Sequence, residues 1–322
     1  MGHQARTIAL AIALTALCAG AAWPQGTGPA GVWSLKAPMP AIRNEVAAAS
    51  VNGKLYVLGG SVGGGRYDLT RNEEYDPATN AWRARKDLPS GSNHMTATAA
   101  NGKIYLVGGF LGSQHKDAVA SAFEYDPASD TWRTLAPLSS PRGSVALAAV
   151  GGKVHALGGR GTDLKTVTTH QVLDPATGAW SIAAPLTRAR DHTATIAVDG
   201  KIHVIGGRFA NPTDTTDMHE VYDPATDTWT SAPPLPGPRS SLAVAVYNGM
   251  IIVIGGETVV ASLTDNDGFD VKSNRWVKLA PLPSPRHGIA GATIGASAFF
   301  AGGAQGVGGN GTSDQLFVFT LP

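Results

Sequence analysis

Short apolar runs alternate with breaks built on glycine, proline and asparagine, and the alternation repeats along most of the chain. Residues 101–109, NGKIYLVGG, show the unit: a turn pair, an apolar run and a double glycine. It recurs as NGKLYVLGG (52–60), GGKVHALGG (151–159), DGKIHVIGG (199–207), NGMIIVIGG (248–256) and, degraded, GASAFFAGG (295–303). The first glycines are Gly59, Gly108, Gly158, Gly206, Gly255 and Gly302, spaced by 49, 50, 48, 49 and 47 residues. A tryptophan lies 26 residues before each: Trp33, Trp82, Trp132, Trp180, Trp229 and Trp276. An arginine lies 16 residues before five of them, at Arg43, Arg142, Arg190, Arg239 and Arg286; Ser92 stands there in the second unit.

This pattern predicts four short strands per unit. A small-residue strand such as SVALAAV (144–150) leads into a hairpin turn, whose positive-φ positions favour Asn and Gly. The second strand ends in the glycine pair, where two residues without Cβ permit close backbone approach. A variable loop follows. The third strand ends in Tyr75-Asp76-Pro77, Tyr125-Asp126-Pro127, Leu173-Asp174-Pro175, Tyr222-Asp223-Pro224 or Phe269-Asp270. Asp-Pro makes the next turn, Asp bonding the backbone ahead, and the tryptophan strand closes the unit. Helical periodicity is absent, so the expectation is an all-β, six-bladed β-propeller with four antiparallel strands per blade. The blades are placed at about 43–89, 92–137, 141–185, 189–234, 238–281 and 285–320 plus 32–37. The last unit stops before a fourth strand. The N-terminal strand with Trp33 is expected to supply it and close the ring, leaving no open edge.

Composition adds the context. With 40 Gly, 21 Pro, 43% apolar and 15% charged residues, the chain is globular and turn-rich. Residues 1–22 read as a secretory signal: a short basic start, an apolar run over 7–17, and an A-x-A site at 19–21. Residues 23–31 read as a flexible lead-in, and 32–322 as a single propeller domain. A secreted or periplasmic protein is expected. Attachment of lipid through Cys18 is disfavoured, because Leu17 stands where such sites need a small residue. Cleavage removes Cys18, the only cysteine, and with it disulfides and thiolate chemistry. It also removes Arg6, leaving 24 basic and 24 acidic residues. Without a basic run, nucleic acid and anionic membranes are poor partners, and no insertion into a membrane is expected after cleavage.

The loop into the first strand and the loop after the glycine pair share one face of such a propeller. The short, near-identical turns lie on the other. Variable loops on a rigid scaffold carry binding, so function is assigned to the first face. What all units share is architecture; what differs at equivalent places is the functional signal. After the opening arginine lie Asn44-Glu45, Asn93-His94, Gly143-Ser144, Asp191-His192, Ser240-Ser241 and His287-Gly288. After the glycine pair lie Ser61, Phe110, Arg160, Arg208, Glu257 and Ala304.

The assembled motifs resemble the kelch repeat: Pro-Arg opening, double glycine, third-strand tyrosine, and tryptophan six or seven residues later. The resemblance covers about 290 residues from Val32 onward. It implies one of two site chemistries. In adaptor-like kelch domains, equivalent positions hold acidic peptides. Arg160 and Arg208 would then grip a carboxylate, with Glu45, His94, Asp191, His192, Glu257 and His287 adding polar contacts. In exported kelch proteins that isomerise sialic acid, Glu257, His192 and Glu45 become candidate acid–base residues. The binding reading, with a protein, peptide or carbohydrate ligand and a monomeric chain, is preferred. Copper-radical oxidases share the repeat but need a cysteine, which the mature chain lacks. No cofactor or metal is expected, since His94, His192 and His287 fall in alternate blades and ring width would separate them. His155 and His203 take the place of Tyr56 and Tyr105 and are read as packed. The sequence Asp265-Asn266-Asp267-Gly268 is read as a turn.

Overall fold

The computed structural model describes residues 30–64, 66–112, 115–210 and 213–321. The segment read as a signal peptide lies outside the described residues, as does most of the lead-in. Six antiparallel sheets are arranged as predicted, with strands in sequence order in blades one to five. Blade one comprises Ala47–Val51, Lys54–Leu58, Asn72–Asp76 and Ala81–Ala84. Blade six comprises His287–Ile294, Ser297–Gly306, Leu316–Thr320 and, from the start of the chain, Val32–Leu35. That N-terminal strand pairs in register Val32 with Thr320 through Leu35 with Phe317. The ring is closed as the terminal tryptophan implied. Ala30 and Gly31, read as the end of the lead-in, are docked: Ala280 donates to the Ala30 carbonyl at 3.0 Å. Among the described residues no helix is long and apolar enough to cross a membrane.

The core lies between blades, where the face of one sheet packs on the next. Ala245, Ile252 and Ile254 of blade five, for example, meet Ile289, Phe300 and Phe319 of blade six. Two hydrogen-bond systems tie all six seams, and both come from the repeat. Each fourth-strand indole donates to a carbonyl of the preceding blade at 2.8–2.9 Å, from Trp82 to Ala37 round to Trp33 to Ala280. The second glycine of each pair donates to the carbonyl at the opening position of the next blade, such as Gly256 to Arg286 at 2.8 Å. That approach explains the first glycine too. A Cβ on Gly108 or Gly255 would lie 2.4 Å from the Arg142 or Arg286 oxygen. The Asp turns behave as the sequence indicated: Asp76, Asp126, Asp174, Asp223 and Asp270 each accept from the amide two residues on at 2.9–3.0 Å.

The opening arginines are fully buried, and each bonds inside the protein through its terminal nitrogens, while Nε of Arg43, Arg142, Arg190 and Arg286 has no partner among the described residues. Arg43 meets Glu73 at 2.5 Å, Arg239 meets Asp267 at 2.6 Å, and Arg190 pairs with Glu220. Arg142 and Arg286 use the neutral Gln171 and Gln315. They brace the five blades that carry them and form no anion-binding ring. In blade two Ser92 replaces the arginine and Phe123 stands where blade one has Glu73. Both members of the ion pair have changed together, so neither charge is left alone. One expectation fails here. Residues 265–268 are not a turn; Asn266–Asp270 is the third strand of blade five. Its acidic spacing serves ion pairs, with Asp267 on Arg239 and both Asp265 and Asp267 on Lys278.

Candidate functional site

The residue two past each opening position adopts a left-handed backbone: Glu45, His94, Ser144, His192, Ser241 and Gly288, with φ of 50–56°. The cause is a ring of backbone hydrogen bonds around the axis. Each of five of these amides donates to the equivalent carbonyl of the preceding blade, as in Glu45 to Gly288 at 2.7 Å and Ser144 to His94 at 3.0 Å. Only Gly288 adopts that conformation freely; a side chain there costs about 1–2 kcal/mol. Five non-glycine residues are kept in it, which directs attention to their side chains. Gly288 has its own reason to be bare, since a Cβ would fall 2.4 Å from Glu45 Oε1.

A second tier sits beside this ring. The residue after each glycine pair bridges the residue after the opening position, pairing Asn93 with Phe110, Gly143 with Arg160, Asp191 with Arg208 and Ser240 with Glu257. All eight candidate site residues consequently join one network. Arg160 and Arg208 do converge on a carboxylate, but it is Asp191 of the protein itself. Arg208 Nε lies 3.2 Å from Oδ1, and Arg160 Nε lies 2.8 Å from Oδ2 without hydrogen-bond alignment. Asp191 Oδ1 also accepts from His192 Nδ1 at 2.8 Å, leaving His192 Nε2 to accept from Arg208 Nη2 at 3.0 Å and Ser144 Oγ at 3.2 Å. Arg208 Nη1 faces Glu257 Oε1 at 3.7 Å. Glu257 Oε2 is 3.5 Å from His287 Nε2, which is 3.9 Å from Glu45 Oε1. Glu45 Oε2 completes the circuit 3.1 Å from His94 Nε2.

Two sequence expectations need correcting. His94 and His192 are not held apart by the width of the ring; their ring centroids are 5.0 Å apart. The inner strands are rich in alanine and other small residues, as in AAASV and TATAA, so the blades meet closely at the axis. His115 was missed altogether. It sits in the variable loop of blade two, and its Nε2 lies 2.9 Å from His94 Nε2. Nothing periodic marks a residue in a loop whose copies share no pattern. Its loop is anchored by Asp68 of blade one, which accepts from the Gly112 amide at 2.6 Å.

Burial governs the protonation states. It raises the Glu45 carboxyl to about 8, aided by the neighbouring Glu257 charge. It lowers His94 and His192 well below 6.5, helped by adjacent imidazoles and Arg208. His115 falls to about 4, and His287 is also lowered. The four imidazoles are neutral at pH 7. Beneath them the channel holds a cavity of about 140 Å³ lined by Glu45, His94, Ser144, His192 and Ser241. Deeper in the channel a second cavity of about 380 Å³ is lined by small and apolar residues such as Ala148, Thr195 and Val244.

The blade geometry and spacing agree with family models. The kelch motif matches residues 42–89 and 92–139, and the KLHDC2/KLHL20/DRC7 kelch-repeats domain matches 144–321. The chain belongs to the kelch-repeat family. The solved structure of YjhT superposes on this kelch propeller with a TM-score of 0.75 at 17% identity, covering 86% of this chain and 95% of that one. At that identity the likeness speaks for the fold. No curated protein matches the sequence. His155 and His203 are packed inside their kelch blades, each 2.9 Å from a partner imidazole, His170 and His219.

Proposed function

We propose that this kelch propeller binds a protein or peptide partner through its variable-loop face. The supporting observation is the distribution of exposed apolar side chains. Ile42, Tyr67, Leu111, Leu164, Val259 and Val260 all project from the loops of that face, Val260 being 80% and Tyr67 66% exposed. Among the described residues the remaining exposed large apolar side chains, Val32, Leu35, Ile182 and Val277, lie on outer strands. Exposed apolar side chains concentrated on the loops of one face favour a surface for protein interaction. Arg160 and Arg208 already share Asp191, so the apolar rim carries the reading more than a carboxylate clamp does. Export is part of it: residues 1–22 carry the signal pattern, which mass measurement of the protein recovered from its native host checks.

The test is selection from a displayed random-peptide library on the immobilised full chain. Enriched peptides should carry apolar residues and lose at least ~10-fold in affinity with Leu164→Glu/Val260→Glu, and keep it with Ile182→Glu. Equal affinity for the first variant overturns the proposal. A second reading, a sugar-acid isomerase at the same mouth, draws on the carboxyl–imidazole pairs Glu257–His287 and Glu45–His94. Against it, the cavity of about 140 Å³ beside Glu45 and His94 is small against the roughly 300–1,000 Å³ of typical ligand pockets, and the cavity of about 380 Å³ deeper in the channel is lined by residues that carry neither carboxyl nor imidazole. Failure to accelerate anomer exchange of any sugar acid, followed by NMR, would sink it.

A further inference from the structure

We propose that His94, His115 and His192 form a binding site for one borderline transition-metal dication, zinc in the first instance, at the mouth of the propeller channel. One ligand nitrogen from each lies within 4.8 Å of the other two. Zinc–imidazole bonds of ~2.0–2.1 Å in a tetrahedron set nitrogens roughly 3.3 Å apart. His94 Nε2 and His115 Nε2, at 2.9 Å, are close to that separation already. A small turn of His192 completes the set. Three imidazoles and no thiolate select zinc, copper, cobalt or nickel over magnesium or calcium.

The groups behind the ligands carry the argument further. A metal-binding histidine normally gives its other ring N–H to an oxygen, which sets the tautomer and aims the lone pair. His192 Nδ1 lies 2.8 Å from Asp191 Oδ1, a carboxylate that is itself buried. His94 Nδ1 lies 2.5 Å from Asn93 Oδ1. The orientation of that amide is fixed in turn, because Asn93 Nδ2 donates to Asp68 Oδ1 at 2.6 Å and to the Gly112 carbonyl at 2.8 Å. Asp68 therefore orients one ligand and, through Gly112, anchors the loop bearing another. Both inner rings present Nε2 as an acceptor toward the cluster. Three protein ligands leave a fourth position. Glu45 Oε2, 3.1 Å from His94 Nε2, is placed to fill it, and His94 and His192 line the cavity from which water or a ligand would enter.

Two donors occupy the His192 Nε2 lone pair: Ser144 Oγ, whose hydroxyl rotates away readily, and Arg208 Nη2, whose charge opposes the ion. Arg208 Nη2 donates to His192 Nε2 and must swing away, toward Asp191 and Glu257, before that nitrogen can ligate. Its charge stays nearby, so binding should be micromolar rather than picomolar. Removing the guanidinium should tighten it, a result a merely structural cluster would not give.

The experiment is titration of the untagged, chelator-stripped full chain with zinc sulfate by calorimetry, and with cobalt chloride by visible absorption. One equivalent of zinc should bind, and cobalt should develop the intense d–d bands of a tetrahedral site. Magnesium should give neither. His115→Ala, a loop change, should weaken zinc at least ~10-fold while the melting temperature of the metal-free protein stays within a few degrees. His94→Gln should do the same if His115→Ala lowers solubility, and Arg208→Met should raise affinity ~10-fold. Absence of saturable one-to-one binding below ~100 µM zinc overturns the site, as does zinc affinity indifferent to His115 and His94.

Discussion

The swap at the opening position of blade two invites transplantation into blade four. Arg190 and Glu220 are paired with 0% and 3% of their side chains exposed. Removing one partner of such a pair strands a buried charge, at roughly 3–5 kcal/mol. Arg190→Ser alone should therefore cost about that much, since Glu220 retains only Thr187 as a side-chain partner. Glu220→Phe alone should cost a similar amount, leaving a guanidinium that cannot neutralise itself at accessible pH. The double variant reproduces the Ser92 and Phe123 arrangement of blade two, where nothing charged is buried at this place. It should lie within about 2 kcal/mol of the parent, because apolar replacement of a whole buried pair is often near neutral. Blade two also has Met95 where blade four has Thr193, so Thr193→Met should recover part of the remaining packing loss. The backbone role survives throughout, since the Arg190 carbonyl that accepts from Gly159 is present whatever the side chain. Urea unfolding of the four proteins, followed by tryptophan fluorescence at pH 7.5, yields the coupling energy. A value of about 4 kcal/mol or more is expected from these costs. Additive costs would refute the view that the buried arginine and acid of blade four are kept as a pair.

Three further outcomes follow from the seams and the buried histidines. Trp33→Ala removes the bond to Ala280 and the contacts to Phe300, Phe317 and Phe319, and should cost about 2–4 kcal/mol in thermal or urea unfolding; deleting residues 30–37 should add concentration-dependent association on gel filtration, by baring the edge of Leu316–Thr320. Gly255→Ala should destabilise far more than Gly102→Ala: both have positive φ, but only the former places a Cβ against backbone, 2.4 Å from the Arg286 oxygen, and equal costs would contradict the seam argument. Burial lowers His155 and His203 to about 4 and His219 to about 3, so below pH 6.5 the unfolded chain binds protons that the folded one refuses. Their stabilisation is complete above about pH 6.5 and lost as pH falls toward 4, about 2 kcal/mol for each by pH 5; a His203→Leu/His219→Leu variant should show a shallower fall in urea midpoint between pH 7.5 and 5, and an unchanged slope would count against it.

The scaffold was legible in the chain because its determinants are local and copied six times. A turn pair, a glycine pair and a tryptophan at constant spacing define strands, hairpins and blade count without any long-range information. Even ring closure could be read, because the last copy lacks its tryptophan strand and the first residues supply one. The side chains that the repeat positions turn toward the mouth were also legible, as the positions where the copies disagree, but His115, from a variable loop, was not. Their chemistry was not. Whether Arg160 and Arg208 meet solvent or Asp191 depends on how blades three and four converge, and the spacing along the chain is silent on that. His94, His115 and His192 lie in different blades and loops, and only a radial packing that brings small-residue strands to one axis places their rings together. The left-handed ring from Glu45 to Gly288 is likewise a property of the closed circle, since five of its six amides find their partner in the neighbouring blade.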